Sequence, residues 1–409
     1  MREMKDSGVK WIGEIPVTWN VYRNKNAFVC SKDLVGGKSS ETQLLSLTTK
    51  GIKLKDINNA EGKLPESFDT YQYVKKDEMV MCLFDLDCSA VFSGLSPYDG
   101  MISPAYKVLT CTDRMEPKYA DYWFQYISHG RKFNHYAKNI RYTLSYEEFS
   151  ALPMLFPDRE EQIRISNYLD AKCSKIDEII EKQHAIIEKL KEYKLSYINE
   201  VTNVNDGIKC HLGFIGQMKN GLNFTDTSEG HKIKFLGVGD FKDNFFVDKE
   251  EMFSTIISEE NVAEDYMLHS GDIVFVRSNG SKELVDRAVM VNGIEYPVTY
   301  SGFCIRFRNI RPDIIDSKFL LYYFRSLDFR KQLEKYSQGS NIRNLNQDLL
   351  SSLQFTIPSK DYQKRRLDEM EIKCKEIDNA VIKFEGMNNK LQEYKKSLIY
   401  EVVTGKKEV

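Results

Sequence analysis

The residues with chemistry to offer are arginine, lysine and asparagine, interleaved with aromatic and small residues in a few stretches. Ser128 to Ser145 (SHGRKFNHYAKNIRYTLS) holds Arg131, Lys132, Lys138 and Arg141, with Asn139, Tyr142 and two histidines among them and no acid. Arg325 to Gln347 carries five basic and two acidic residues and ends in a run containing Ser340, Asn341, Arg343, Asn344 and Asn346. A third stretch, Arg277-Ser278-Asn279-Gly280-Ser281-Lys282, follows an apolar run. Arginine and asparagine make bidentate hydrogen bonds to guanine and adenine edges in the major groove. Glycine and serine let backbone amides approach phosphates. Any one stretch reads equally well as a solvated loop; two of them fall at corresponding places of an internal repeat, which favours nucleic acid.

Covalent catalysis finds no such support. Gly36-Gly37-Lys38-Ser39 matches the end of a phosphate-binding loop, but Lys32 stands where glycine is required, and a plain turn is the better reading. The sequence contains no HExxH, GxSxG or GxGxxG, and no Asn/Asp-Pro-Pro-aromatic tetrapeptide of the kind amino-methyltransferases use. Cys210-His211 is a lone pair without the spacing of a metal site. No catalytic residue and no metal ligand is therefore assigned. The eight cysteines are scattered without a CxxC and read as reduced thiols. No stretch of about 18 apolar residues offers a membrane span, and the first residues lack the apolar core of a signal peptide, so a cytoplasmic location is expected. The formal charge of −2 over 409 residues gives no global sign of a polyanion partner, but a local basic patch suffices for phosphate contact.

The elements that must position these stretches fall into two mixed domains. Residues 1 to about 150 carry strand-like runs at Gln43–Leu47, Glu78–Leu83 and Ala105–Leu109, then helical spacing at Tyr119, Tyr122, Trp123, Tyr126 and Ile127. Residues 208 to about 352 show strands at Lys234–Val238, Asp272–Arg277 and Phe303–Phe307, then helical spacing at Phe319, Leu320, Tyr323, Phe324 and Leu327. Each domain is followed by a long amphipathic stretch, and these two stretches are copies of one another. Leu152–Thr202 and Leu353–Val403 align without a gap at a shift of 201 residues and match at 18 of 51 positions. Chance at ordinary composition would give about three. A period this long denotes a duplicated half-molecule rather than a solenoid.

Within each copy the apolar residues step by four and three. The first seam runs through Leu169, Cys173, Ile176, Ile180, Gln183, Ile187, Leu190, Lys194, Tyr197 and Val201. The second runs through Met370, Cys374, Ile377, Val381, Phe384, Asn388, Leu391, Lys395, Leu398 and Val402. This is a heptad pattern. Asp158 and Glu161 predict a capping box at the start of the first helix, and Asn205-Asp206-Gly207 and Gly405 its end and that of its copy. Gly386 with Asn388-Asn389 predicts a local irregularity in the second helix. A helix over 158–202 spans roughly 65 Å at 1.5 Å per residue. The simplest partner for each narrow seam is the other, in an antiparallel coiled coil with a pseudo-twofold axis; the alternative is that each helix packs only on its own domain. A second row, Ile179, Ile186 and Tyr193, mirrored by Ala380, Met387 and Tyr394, flanks the seam. It reads either as a surface for a further protein or as contact with the nearby domains.

The whole chain resembles the specificity subunits of type I restriction-modification systems. The resemblance rests on Asp6-Ser7-Gly8-Val9-Lys10-Trp11-Ile12-Gly13-Glu14-Ile15-Pro16 with Trp19, and on the paired helices. Ile176-Asp177-Glu178, Leu190-Lys191-Glu192-Tyr193-Lys194 and Val403-Thr404-Gly405-Lys406 complete it. It implies an α/β (α+β) fold with target recognition domains at 1–155 and 206–356 and long helices at 156–205 and 357–409. It further implies a non-catalytic chain that reads an asymmetric bipartite sequence in double-stranded DNA, its helices spacing the two half-sites. Two modification subunits, adenine methyltransferases using S-adenosylmethionine, would dock on it, and ATP- and Mg-dependent restriction subunits would join them; the chain itself would bind no cofactor. On this reading Arg131, Lys132, Lys138, Asn139, Arg141 and Tyr142 serve DNA in the first half. Arg277, Ser278, Asn279, Lys282, Ser340, Asn341, Arg343, Asn344 and Asn346 serve it in the second. Ile179, Ile186, Tyr193, Met387 and Tyr394 would be the docking row. The recognition subunit of a type II restriction-methylation enzyme, and a coiled-coil scaffold with no DNA role, are the competing readings.

Overall fold

Helix starts follow local chemistry. Helix α1 (Pro117–His129) opens on proline, whose missing N–H costs nothing in a first turn. Helix α2 (Arg159–Thr202) starts from Asp158, whose Oδ1 accepts from the Glu161 N–H at 2.8 Å. Helix α3 (Ser317–Phe324) starts from Asp316, which accepts from the Lys318 N–H at 2.7 Å. Helix α4 (Lys360–Val403) follows Ser359, which accepts from the Tyr362 N–H. The computed structural model describes residues 2–31, 33–56, 65, 67–86, 92–137, 142–224, 230–242, 244–258, 261–277, 287–336 and 345–409.

Two expectations need correction. The capping box at Asp158 is only half made, because the Glu161 carboxylate turns away from the cap to accept from the Trp19 indole at 2.8 Å and from both terminal nitrogens of Arg2. A buried indole donor and a guanidinium outcompete one backbone N–H. Helix α4 runs through Gly386 without a break. A single glycine costs about 1 kcal/mol in a helix interior, which tertiary packing along the rest of the element overrides.

The chain divides into two compact units: residues 1–183 with 385–409, and residues 184–384. The first holds α1, the start of α2 and the end of α4. Its four-stranded antiparallel sheet runs Phe28–Cys30, Lys107–Cys111, Met79–Met81 and Ser93–Leu95. Asn20–Arg23 pairs separately with Pro153–Phe156, the strand that leads into α2. One core unites Trp19, Trp123 and Phe149 of the domain with Leu169 and Cys173 of α2 and Leu398 and Val402 of α4. Asp177 accepts from the Lys395 ammonium through both oxygens at 2.7 Å. The Tyr119 hydroxyl donates to the carbonyls of Leu155 and Val403. Going back along α2 thus means going forward along α4, and the pair is antiparallel. Gly405 ends α4 at φ +70°, where a side chain would collide with Pro16, and Lys406 donates to the Ile12 carbonyl.

The second unit repeats the plan on a different sheet. Five strands run Gly216–Asn220, Cys304–Asn309, Ile273–Val276, Ala288–Val291 and Phe246–Val247, antiparallel except for the last pair. A three-stranded sheet of Ser254–Ser258, His231–Leu236 and Val298–Tyr300 adds a second core. Ile208–His211 pairs with Gln354–Ile357, the strand before α4. Lys194 donates to both Asp378 oxygens at 2.7 Å, and the Tyr362 hydroxyl donates to the Val201 carbonyl at 3.0 Å, so α2 and α4 are antiparallel here too.

Duplication also shows in buried polar groups. Gln162 accepts from the Glu116 N–H and donates to the carbonyls of Arg114 and Pro157. Gln363, 201 residues on, accepts from the Asp316 N–H and donates to the carbonyls of Ile314 and Pro358. Each glutamine sews the loop before the domain helix onto the first turn of a long helix. Lys118 pairs with Asp170, and Lys318 with Glu371, about two turns further along each long helix.

Candidate nucleic-acid interface

In the first unit α1 ends at Gly130, and Arg131 sits in the left-handed region at φ 46° at the head of a short 3-10 turn, Lys132–His135. The turn is held from within. The Arg131 N–H donates to the Ser128 carbonyl, its own carbonyl accepts from Asn134, and Phe133 is buried against Phe92, Phe124 and Phe149. Arg131 itself is exposed and Lys132 half-buried. A non-glycine residue held at positive φ carries a strain that its surroundings must fix, and such positions cluster at binding sites. His129, exposed at the end of α1, has its pKa lowered by desolvation and then by Lys396 and Lys395, which keeps the imidazole neutral near pH 7. Lys138, Asn139 and Arg141 lie outside the described residues. Tyr142 is exposed with φ 45°.

The segment carrying Tyr142 returns to the end of the central strand. The Leu144 N–H donates to the Leu83 carbonyl at 2.8 Å, and the Leu86 N–H to the Tyr142 carbonyl at 3.3 Å. The second unit does the same. Arg277 follows the central strand Ile273–Val276, and its carbonyl accepts from the Leu345 N–H at 2.8 Å. Leu144 and Leu345 are both buried and are related by the same 201-residue shift. In each unit the loop after a central strand therefore meets the chain that returns toward a long helix. Stretches as far apart in sequence as Arg277 and Asn346 come together at one edge.

At that edge Arg277 is half-buried, and its Nε is enclosed and has no hydrogen-bond partner among the described residues. Asn346 is exposed, but its Oδ1 caps the helix Gln347–Ser352 by accepting from the Leu349 N–H at 2.8 Å. Its amide nitrogen is what it can still offer. Ser278, Asn279, Lys282, Ser340, Asn341, Arg343 and Asn344 lie outside the described residues. Sequence reading missed two neighbours. Phe303, whose carbonyl accepts from the Arg277 N–H, is an aromatic residue 57% exposed. In the first unit the counterpart of the Arg277 loop begins at Phe84-Asp85-Leu86, with Asp85 at φ 51°. The shift relating Leu144 to Leu345 carries Arg277 back to Lys76 rather than to this segment, and its residue types gave no signal either.

The seam residues are placed as follows. In the first unit Leu169, Cys173, Ile176 and Leu398 are buried, with Ile180 and Leu391 half-buried. In the second Ile187, Met370, Cys374 and Ile377 are buried, with Leu190 and Val381 half-buried. Burial raises the Cys173 thiol pKa and pushes that of Cys374 up to about 11, which leaves both as neutral packing groups. The flanking row is open. Ile179, Met387 and Tyr394 of the first unit and Ile186 and Tyr193 of the second are each between 41% and 53% exposed. Among the described residues no cluster of His, Cys, Asp and Glu could hold a metal, and no helix is long and apolar enough to cross a membrane.

Comparison with known proteins agrees with this layout. Residues 210–399 match the family model of the type I restriction modification DNA specificity domain. The type I restriction enzyme StySPI specificity subunit of Salmonella potsdam is 24% identical over 300 residues, 65% of this chain and 63% of its own length. The EcoKI specificity subunit of Escherichia coli K12 is 24% identical over 146 residues, 36% of this chain and 31% of its own length. The chain thus spans less than two thirds of either curated relative. A solved structure, described as the structural basis underlying complex assembly and conformational transition of the type I R-M system, has the same fold. It aligns at TM-score 0.72 with 13% identity, over 96% of this chain and 99% of its own.

Proposed function

We propose, from its likeness to the type I restriction-modification specificity subunits, that this chain is the DNA sequence-recognition subunit of such a system. The observation that carries the proposal is the match of residues 210–399 to the DNA specificity domain, a span that includes the edge where Arg277 meets Leu345. The first unit has a second edge of the same construction, at Leu83 and Leu144. Two edges of different residue content read two different half-sites, which makes the target bipartite and asymmetric. Side chains of the Arg131 turn serve one half-site, and those around Arg277 the other, by phosphate contact and direct base contact. The chain recognises and does not catalyse; methyl transfer and cleavage belong to partner subunits that bring S-adenosylmethionine, ATP and Mg. Ile179, Met387 and Tyr394 in the first unit, and Ile186 and Tyr193 in the second, support docking of those partners, since apolar side chains exposed beside a filled seam are a cost in water that a partner removes.

The test is to co-express the chain with a candidate modification subunit, co-purify the two and map methylated adenines genome-wide. The expected motif has two unlike half-sites separated by a fixed gap of unspecified bases. A short continuous palindrome would overturn the bipartite reading. Filter binding that does not weaken as salt rises would overturn the DNA role itself.

A further inference from the structure

Duplication gives the long helices a pairing ambiguity. Asp177 and Lys194 of α2 correspond through the 201-residue shift to Asp378 and Lys395 of α4. A second copy of α2 would offer an α2 helix the same ion pairs that α4 offers it. These pairs cannot tell α4 of the same chain from α2 of another.

The neighbouring layer can. Gln183 stands six residues after Asp177, and Asn388 seven residues before Lys395, so the antiparallel run brings them to nearly the same level at 1.5 Å per residue. Both are buried, at 8% and 4% exposure. Gln183 Oε1 and both Asn388 amide atoms, Oδ1 and Nδ2, have no hydrogen-bond partner among the described residues. The corresponding layer of the second unit, placed the same way from Lys194 and Asp378, is Ile187 and Phe384 and is wholly apolar.

We propose that Gln183 and Asn388 form a buried amide layer, Asn388 Nδ2 donating to Gln183 Oε1 after a side-chain rotation, which selects α2–α4 pairing within one chain over like-with-like pairing between two copies. In an α2–α2 pair each Gln183 would face Ile187 of the other copy; in an α4–α4 pair each Asn388 would face Phe384. Both mismatches bury amides against hydrocarbon, and a buried amide left unpaired costs more than a made bond returns. A single polar layer in a heptad seam fixes register and partner in this way, at some expense in stability. The inference concerns chain pairing and stands independently of the DNA-reading proposal.

The full chain tests it. Unfolded protein is refolded over a range of concentrations, and the dimer fraction is read by size-exclusion chromatography with light scattering. Replacing the layer by its apolar counterpart, Gln183→Phe with Asn388→Ile, should raise the dimer fraction several-fold while the protein melts no lower than the natural chain. Either substitution alone strands one amide and should melt below both. Adding Ile187→Asn and Phe384→Gln moves the amide layer to the second unit and should return the dimer fraction to the natural value. If phenylalanine prevents folding, Gln183→Leu with Asn388→Leu makes the same comparison. A dimer fraction equal to that of the natural chain at every concentration would overturn the proposal, as would failure of the fourfold variant to reverse the rise.

Discussion

Asp121 of α1 accepts from the Gln125 side chain at 2.9 Å and from the Leu95 N–H at 3.3 Å, yet burial outweighs both bonds and pushes its carboxyl up to about 6. A carboxyl whose pKa is raised by folding holds its proton more tightly in the folded state. The first unit therefore loses stability as pH rises from about 4, where an unfolded aspartate titrates, to about 6, and the loss is complete above that. Asp121→Asn removes the titration. Its melting temperature relative to the natural chain should climb between pH 4 and pH 7, since any cost of disturbing the Gln125 bond is the same at every pH. A flat difference would show that the carboxyl is not raised. Arg277 lends itself to a different measurement. If its side chain reaches a base, Arg277→Ala should relax discrimination within one half-site by about 1–3 kcal/mol. An equal loss across all sequences would make it a phosphate contact. The composition of these stretches was readable from sequence, but the state of single residues was not. Asn346 reads as a free amide until a helix is seen to start on it, and Glu161 reads as a capping residue until Trp19 and Arg2 arrive from the other end of the domain.

Among elements, the period of the long helices is the most legible feature of the sequence. A 3–4 spacing sustained over heptads leaves few alternatives, and no seam position from Leu169 to Val201, or from Met370 to Val402, is left exposed. The strands were legible in place but imprecise at their ends, because side chains in a sheet are sorted by cross-strand neighbours that sequence does not name. What stayed hidden was contact between distant segments, such as the hydrogen bond from Leu345 to Arg277, which depends on how a loop closes over a strand. The charge pairs across the helices were hidden for the same reason, since they require a register. Lys194 and Asp378 allow a double-mutant cycle. Asp378 is largely exposed, so a coupling of about 0.2–1 kcal/mol is expected, falling as salt screens it. Coupling that does not respond to salt would mean the substitutions act through packing rather than charge.

At the scale of the whole molecule, the repeat pointed to a duplicated half-molecule, but not to a first unit that takes the end of the last helix, and the failure to find catalytic motifs pointed to recognition. Divergence of the two sheets was equally visible as a loss of similarity outside the helices. Which bases such edges would read was beyond sequence reading, because loop residues reach base edges only through a backbone geometry that no residue pattern encodes. The composition of the units has one more consequence, and it concerns time. The second unit is an unbroken run, residues 184–384, whereas the first needs both 1–183 and 385–409, with Leu398 and Val402 in its core and Lys406 bonded to Ile12. A chain emerging from the ribosome can close the second unit while the first still waits for its last helix. In pulse-labelling hydrogen exchange during synthesis, amides of Ile273–Val276 should gain protection before those of Met79–Met81. The opposite order would mean that the first sheet forms without the helix that completes its core. The half made first would be the half finished last.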